Sequence, residues 1–453
     1  MATVEIAPLP ITHIQPQHPP EEEEGEVYGK GNYAVVHKTP AAYGIQSPVV
    51  KSYYIRSGET DCMKEVWLHR LTNDKFKVEV GRIPSFVMGM PRAMGDLWDA
   101  VAGDGHKRVF SKRGFVAIMA PIMGSLSKLH ARGIVHMDLK AENILLRGNS
   151  TWQQSVLADF GCAMAQFVND PTDWDHGYLT VPERMPNGDS DTPMAEPSTA
   201  GDVYNLSMLA LAVSHPRFRT DMKLRNQELH EKLVTVEGDQ VTWKSPYAER
   251  WEDMCIGAEA VSLFAQALHP HPEQRPNVNQ MLKAMKIRVP QSPSVNTYDF
   301  ASLMLTRDDT LSDIVYKLLI DSMNFHPAAF VIASRMTKLY IAKHGDGQGK
   351  LISATALWIA DSFTPHREFR FGQYRPHHET MRTIAMQMAL EDGILDMAIP
   401  PHAVSKDRLK DIVTTECEEV QINWNWQTVV SQCRQMRHPL WIELMEGAAA
   451  NTL

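Results

Sequence analysis

One stretch, Gly133–Leu146, reading GIVHMDLKAENILL, constrains this chain more than any other. Upstream of it Phe115, Ile118, Met119, Ile122, Leu126 and Leu129 recur at three- and four-residue spacing, the mark of an amphipathic helix packing on a core. Pro121 inside that pattern should kink the helix or move its start later. The helix delivers the chain to Gly133-Ile134-Val135, a short strand, and then to the polar loop His136–Asn143. Asp159-Phe160-Gly161 follows a short way downstream. Helix, strand and loop in this order give the loop a structural context that a chance match would lack.

Asp138 and Asn143 stand five residues apart, and Asp159 precedes Phe160-Gly161. Phosphoryl transfer needs that spacing: one Asp accepts the proton of a substrate hydroxyl, while the Asn and the second Asp hold metal ions on the phosphates. Nearer the N-terminus, Gly29-Lys30-Gly31-Asn32-Tyr33-Ala34-Val35-Val36 can form a glycine-rich hairpin. Its backbone amides could approach phosphates without side-chain interference, and a following valine, Val36, could cover a base. Taken alone, the same string also fits an ordinary hairpin. Pro48-Val49-Val50-Lys51 is an apolar strand ending in lysine, and Lys64–Leu71 reads as a helix in which Val66, Leu68 and Leu71 are partly periodic.

On these motifs the sequence resembles the eukaryotic-type Ser/Thr protein kinases, from about Gly25 to Ile287. The resemblance implies an α+β, bilobal fold with a small β-rich lobe over 25–90 and a large helical lobe over 91–288. It implies ATP and Mg²⁺ as cofactors and a protein as substrate. Gly29, Lys30, Gly31, Val36 and Lys51 would bind ATP, with Glu65 pairing with Lys51 to hold it against the phosphates. Asp138 would act as general base or hydroxyl-orienting group, Lys140 would neutralise charge on the transferring phosphoryl group, and Asn143 and Asp159 would coordinate Mg²⁺. Phe86–Pro91 would be the last small-lobe strand and the hinge. Ser198–Tyr204 opens a helix apolar almost all round, as a buried central helix should be, and Asp202 would support the catalytic loop. Val181-Pro182-Glu183 resembles the family's closing APE element, and Arg275 would pair with Glu183. The DLKAEN loop points to Ser/Thr rather than Tyr kinases, and KEVWLHRL and STAGDVYNLSMLAL look most like the cyclin-dependent branch.

Two departures stand out. Ala34 replaces the third glycine of the hairpin, and Met137 stands where the family usually has an arginine that reads a phosphate on the activation segment. Arginine pairs with phosphate bidentately and methionine cannot, so control by such a phosphate is not expected in the usual way. Thr172 has the position of a phosphosite, but Asp170, Asp173 and Asp175 surround it.

At 453 residues and 43% hydrophobic, the chain can bury more than one core. A net charge of −9 gives no reason to expect nucleic acid as a partner. Five scattered cysteines without a CxxC pair indicate neither a disulfide framework nor a zinc module. No apolar run approaches the roughly 20 residues that span a bilayer, so the reading is a soluble intracellular protein, cytoplasmic or nuclear, without a membrane partner. Residues 1–24, rich in proline and closing on four glutamates, read as a disordered tail.

Pro290, Ser292, Pro293 and Ser294 mark a linker over 289–301. Beyond it, four apolar stripes follow: Leu311–Leu319, Phe330–Tyr340, Leu351–Ala360 and Met381–Met388, broken at Asp392-Gly393 and stopped at Pro400-Pro401. Periodicity predicts an all-α domain over 302–402 with a helical extension over 403–453. LISATALWIADSF resembles the central helix of a cyclin box, which implies a cyclin-like activating domain attached to its own kinase. Asp361-Ser362-Phe363-Thr364 stands where cyclins often carry an acidic pair, which argues against the standard contacts. The expectation is nonetheless that this domain docks on the Glu65 helix and that a chain ending near 290 loses most activity. The histidines 366, 377 and 378 lack ligand spacing and read as surface residues. The alternative reading is a weak pseudokinase and cyclin-like scaffold that recruits cellular cyclins or cyclin-dependent kinases.

Overall fold

The computed structural model describes residues 26–30, 34–43, 45–53, 58–73, 76–81, 87–102, 110–147, 154–166, 181–182, 198–216, 218, 226–291, 309–323, 325–364, 372–399, 413 and 441. The expectations placed on the 1–24 tail, Gly31, Thr172, Glu183, His366, most of the linker and nearly all of 403–453 lie outside these residues.

Alternating and β-branched residues build the first layer. Strands β1 (Val27–Lys30), β2 (Ala34–Lys38), β3 (Val49–Tyr53), β4 (Glu79–Gly81) and β5 (Val87–Met90) form an antiparallel sheet in the order β1-β2-β3-β5-β4. In β3, Val49 and Val50 are buried, and the register sets Lys51 opposite Val36 on one side and Met88 on the other. Helix α1 (Gly58–Thr72) packs on β3, β4 and β5.

Below the hinge come β6 (Gly95–Asp96), α2 (Leu97–Ala102), α3 (Lys112–His130), β7 (Ile134–Val135), β8 (Ile144–Arg147), β9 (Gln154–Leu157), β10 (Met164–Ala165) and α4 (Thr199–Ser214). α3 does not begin at Pro121. It starts at the Ser111 cap, whose Oγ accepts from the Gly114 amide, and runs through the proline. Burial of Phe115 and Ile118 holds the turns before Pro121, which outweighs the hydrogen bond that a proline forfeits. α4 is buried from Asp202 to Ser214 and forms the centre of this lobe. α5 (Asn226–Leu233), the hairpin β11 (Val234–Glu237) and β12 (Gln240–Trp243), α6 (Tyr247–Met254), α7 (Ala258–Gln266) and α8 (Val278–Ala284) complete it.

Each of the four apolar stripes beyond the linker lies on a helix: α9 (Asp309–Ser322), α10 (Pro327–His344), α11 (Gly349–Asp361) and α12 (His378–Met386). α12 continues as a π turn over Gln387–Glu391, and α13 (Ile394–Ala398) follows after Gly393 at φ 68°. α10 is buried from Pro327 through Ser334 and packs against α9, α11 and α13. Trp441 is fully buried among them; its indole donates to the Phe325 carbonyl at 2.7 Å and meets the Phe330 ring edge-on. Among the described residues no helix is long and apolar enough to cross a membrane.

Candidate active site

The β3 strand and helix α1 bring two charges of opposite sign together. Lys51 Nζ donates to Glu65 Oε1 at 2.7 Å and Oε2 at 2.9 Å, and to Asp159 Oδ1 at 2.9 Å. Glu65 is 1% exposed, whereas the Asp159 side chain is half exposed at the cleft. Burial alone would pull the Lys51 ammonium down, but the Glu65 and Asp159 carboxylates outweigh it and hold it well above the usual lysine range. Burial pushes the Glu65 carboxyl up against the pull of Lys51. For Asp159, burial is outweighed by Lys51, which holds the carboxyl below its ordinary value. At neutral pH the trio therefore carries a cation and a cleft-facing carboxylate.

Asp159 has φ 58°, a left-handed conformation that a non-glycine residue adopts only when its surroundings demand it. The next residue supplies the demand. Phe160 is fully buried, its ring 4.9 Å from His69 of α1 and 5.3 Å from His136 of the loop. His69 is itself pushed down to about 3 by burial, then by Lys51, so it stays a neutral packing ring. This stack fixes α1, the Asp159 turn and the loop relative to one another.

The loop is strained and anchored in the same way. Met137 has φ 69°, and the backbone amides of His136 and Met137 donate to the two Asp202 oxygens at 2.7 and 3.0 Å. His130 Nε2 lies 3.0 Å from the same carboxylate. Beyond the strained residue, Lys140 Nζ reaches Asp138 Oδ2 at 2.7 Å, and Asn143 Nδ2 donates to the Asp138 carbonyl at 2.7 Å and to its Oδ2 at 2.9 Å. The sequence-predicted residues Lys51, Glu65, Asp138, Lys140, Asn143, Asp159 and Asp202 are thus linked around one cleft. Lys30 and Gly29 lie exposed on β1, and among the described residues a Cβ on Gly29 would meet nothing within 4 Å. Arg275 donates to the carbonyls of His269, Ala200 and Pro270 and stacks over Tyr204; Glu183, its expected partner, is outside the described residues.

Oxygen atoms of an amide and two carboxylates suit a hard cation such as Mg²⁺. Among the described residues no group of three or more His, Cys, Asp or Glu side chains could hold a metal alone.

Sequence reasoning expected the second domain to dock on the Glu65 helix but did not find the residues that make the contact. From Glu59 to His69 every residue of this largely polar helix is buried, because the second helical domain packs on it beside the sheet, α3 and the Phe160 turn. Glu59 Oε2 takes a contact from His378 Nε2 at 2.9 Å, and Glu59 Oε1 accepts from both Arg382 Nε at 3.0 Å and Arg382 Nη2. Lys64 donates to the Ser362 carbonyl at 2.9 Å, and Arg70 to the Leu390 carbonyl at 3.3 Å. Trp67 meets Phe363 edge-on at 5.6 Å. In the large lobe, Arg132 donates to the Asp396 carbonyl at 2.9 Å. His378, read from sequence as a surface residue, is a partly buried member of this contact. The available signal was a weak one: α1 lacks the continuous polar face that a solvent-exposed helix would show.

A family model for the protein kinase domain matches residues 23–285, and the chain belongs to that family. Its relatives narrow the class to serine/threonine kinases. Calcium/calmodulin-dependent protein kinase type II of Caenorhabditis elegans is 30% identical over 165 residues, 36% of this chain and 21% of that protein. Calcium/calmodulin-dependent protein kinase cmkA of Emericella nidulans is 22% identical over 273 residues, 57% of this chain and 60% of that protein. Human ribosomal protein S6 kinase alpha-2 is 32% identical over 145 residues, 30% of this chain and 19% of that protein. Each match spans less than two thirds of the relative's length. The chain carries a protein serine/threonine kinase domain, and the family's chemistry uses ATP and Mg²⁺.

Proposed function

We propose that this chain is an ATP-dependent protein serine/threonine kinase of cyclin-dependent type that carries its own cyclin-like activating domain. The observation that carries the reading is the closed Lys51–Glu65 pair on a helix whose opposite face is covered by α11, α12 and the π turn. The lysine must stand against the phosphates, and Glu65 holds it there only while α1 is inward. A domain on the same chain meets α1 at a high effective concentration, so no encounter with a separate partner is needed.

In this reading Lys51 binds the phosphates, and Gly29, Lys30, Gly31 and Val36 cover the nucleotide. Asp138 orients the substrate hydroxyl and accepts its proton, and Lys140 beside it offsets charge on the phosphoryl group in flight. Asn143 and Asp159 would hold Mg²⁺, which when bound would supply positive charge against the phosphates. Asp202 keeps the loop in its strained shape, and Arg275 with Glu183 braces the large lobe. Little covalent chemistry is asked of the protein, so positioning supplies most of the rate. The cyclin-dependent assignment draws on the KEVWLHRL and LISATALWIADSF strings and on the domain contact, while the relatives named above belong to other branches.

Purified full-length chain, with Mg²⁺, ATP and a generic basic protein substrate but no added cyclin, tests the proposal. Wild type should transfer phosphate, and Asp138→Asn should lower the rate by about a hundredfold or more. Equal signal from both would defeat the catalytic assignment and leave the scaffold reading.

A further inference from the structure

The active-site account leaves one fully buried charge on α1 unused. Lys64 precedes Glu65 but points away from Lys51, and its side chain is 0% exposed. Its ammonium reaches the Gly161 carbonyl at 2.8 Å, the Ala163 carbonyl at 3.2 Å and the Ser362 carbonyl at 2.9 Å, with Asp61 Oδ1 at 3.7 Å. A buried ammonium is tolerated only where such acceptors converge on it. Two of these carbonyls belong to the turn that begins at Asp159, and the third closes α11 in the second domain. The same α11 turn makes a second link. The Ala165 amide donates to the Phe363 carbonyl at 3.1 Å, and the Phe363 ring packs on Trp67 with Lys64 Nζ 5.9 Å from its centre. The 361–364 turn therefore touches both α1 and the segment after Phe160, and Lys64 joins all three.

We propose that Lys64 is a positioning residue for phosphoryl transfer. Held by the Ser362 carbonyl, its ammonium fixes the Gly161 and Ala163 carbonyls and through them the Asp159 carboxylate. The second domain would then act on the metal-holding turn directly, and not only by pressing Glu65 inward. Gly161 lies two residues past Asp159, and a Cβ there would stand 3.4 Å from Asp159 Oδ1, so small movements of this turn reach the carboxylate. The inference rests on the reading of a kinase held active by its own second domain, and it adds a distinct signature: metal dependence.

The test uses the full chain, a peptide substrate, fixed ATP and a Mg²⁺ titration. Lys64→Met should lower kcat tenfold or more, raise the Mg²⁺ concentration for half-maximal rate at least threefold with peptide KM within twofold of wild type, and speed hydrogen exchange of the Ala163 and Ala165 amides without added nucleotide. Lys64→Arg, which can donate to the same carbonyls, should restore at least half of the Mg²⁺ response. Wild-type kcat and Mg²⁺ dependence in Lys64→Met would overturn the proposal; so would a loss that Lys64→Arg does not rescue. Should Lys64→Met fail to fold, Phe363→Leu carries the test, with a two- to threefold Mg²⁺ shift expected and an unshifted titration counting against it. A wild-type chain inactive without an added partner sinks the activation reading together with this one. An active wild type beside an equally active Lys64→Met sinks this one alone.

Discussion

Arg382→Met tests the domain contact at its most charged point. Glu59 and Arg382 side chains are 11% and 15% exposed, and His378 holds the other Glu59 oxygen at 2.9 Å. At about 3 Å and an effective dielectric of about 20 the pair attracts by roughly 5 kcal/mol, most of which offsets the desolvation of both ions. Removing one partner of a fully buried pair costs about 3–5 kcal/mol, because the other charge stays behind. Here some water reaches the site and His378 remains, so about 2–3 kcal/mol is the fitting figure. That is a loss of roughly 30- to 150-fold in the docking equilibrium of α1 against the second domain. Phosphotransfer rate and hydrogen exchange of the α1 amides should both report it. The double variant Glu59→Gln/Arg382→Met leaves no buried carboxylate without its arginine, the other Arg382 partner, Glu379, being exposed, and should be less impaired than Arg382→Met alone. The pH dependence has a sign. Burial pushes the Glu59 carboxyl up, but the hydrogen bonds from His378 and Arg382 outweigh it and hold it below its ordinary 4.5. Its contribution is therefore present above that value and is lost as pH falls through the lowered one. Single-variant effects that simply add in the double variant, with α1 exchange unchanged, would refute this account of the contact.

Three other outcomes are expected. Asp202→Ala strips the acceptor from two backbone amides beside the strained Met137, and should cost about 2–5 kcal/mol in urea unfolding along with most of kcat. His69 stays neutral down to about 3 while the unfolded chain protonates near 6.5, so folding stability should fall by about 1.4 kcal/mol per pH unit below 6.5 on its account. His69→Phe should flatten that slope, and an unchanged slope would count against the buried neutral ring. Trp441→Ala should lower the stability of the second domain by about 3–5 kcal/mol, since the fully buried indole packs on Phe330 and binds the Phe325 carbonyl.

Most of the kinase lobes was legible because their landmarks are side chains at short, fixed spacings. Asp138 and Asn143 belong to one loop, and the periodicity of α3 and the apolar run of α4 follow from burial on one face or all round. The helices of the second domain were legible for the same reason. Docking of the second domain on the Glu65 helix was expected, but the residues that make the contact were not legible. Glu59, Lys64, Arg70, His378 and Arg382 each resemble a solvated surface residue, and only the fold puts them opposite one another. The 361–364 turn was not legible as a contact for a further reason: it meets α1 and the segment after Phe160 through the Ser362 and Phe363 carbonyls, which carry no residue identity that a sequence could display. Pro121 misled, because tertiary burial of the flanking turns overrides a local helix breaker.

α1 is the point at which these forces meet. Its Glu65 lies at 1% exposure, where a carboxylate is stable only if Lys51 stays in reach. Its outer residues, polar and aromatic together, form no face that water or a core alone would satisfy. They are satisfied by the second domain's Arg382, His378, Phe363 and backbone carbonyls. In the proposed reading, holding α1 inward and covering its outer face are one event, and weakening the cover should loosen the Lys51–Glu65 pair. Met137 removes the guanidinium that would tie the loop to a phosphate. Among the described residues, a cation beside the Gly161–Ala163 turn is Lys64, whose third carbonyl comes from the second domain, the contact on which its proposed positioning role rests.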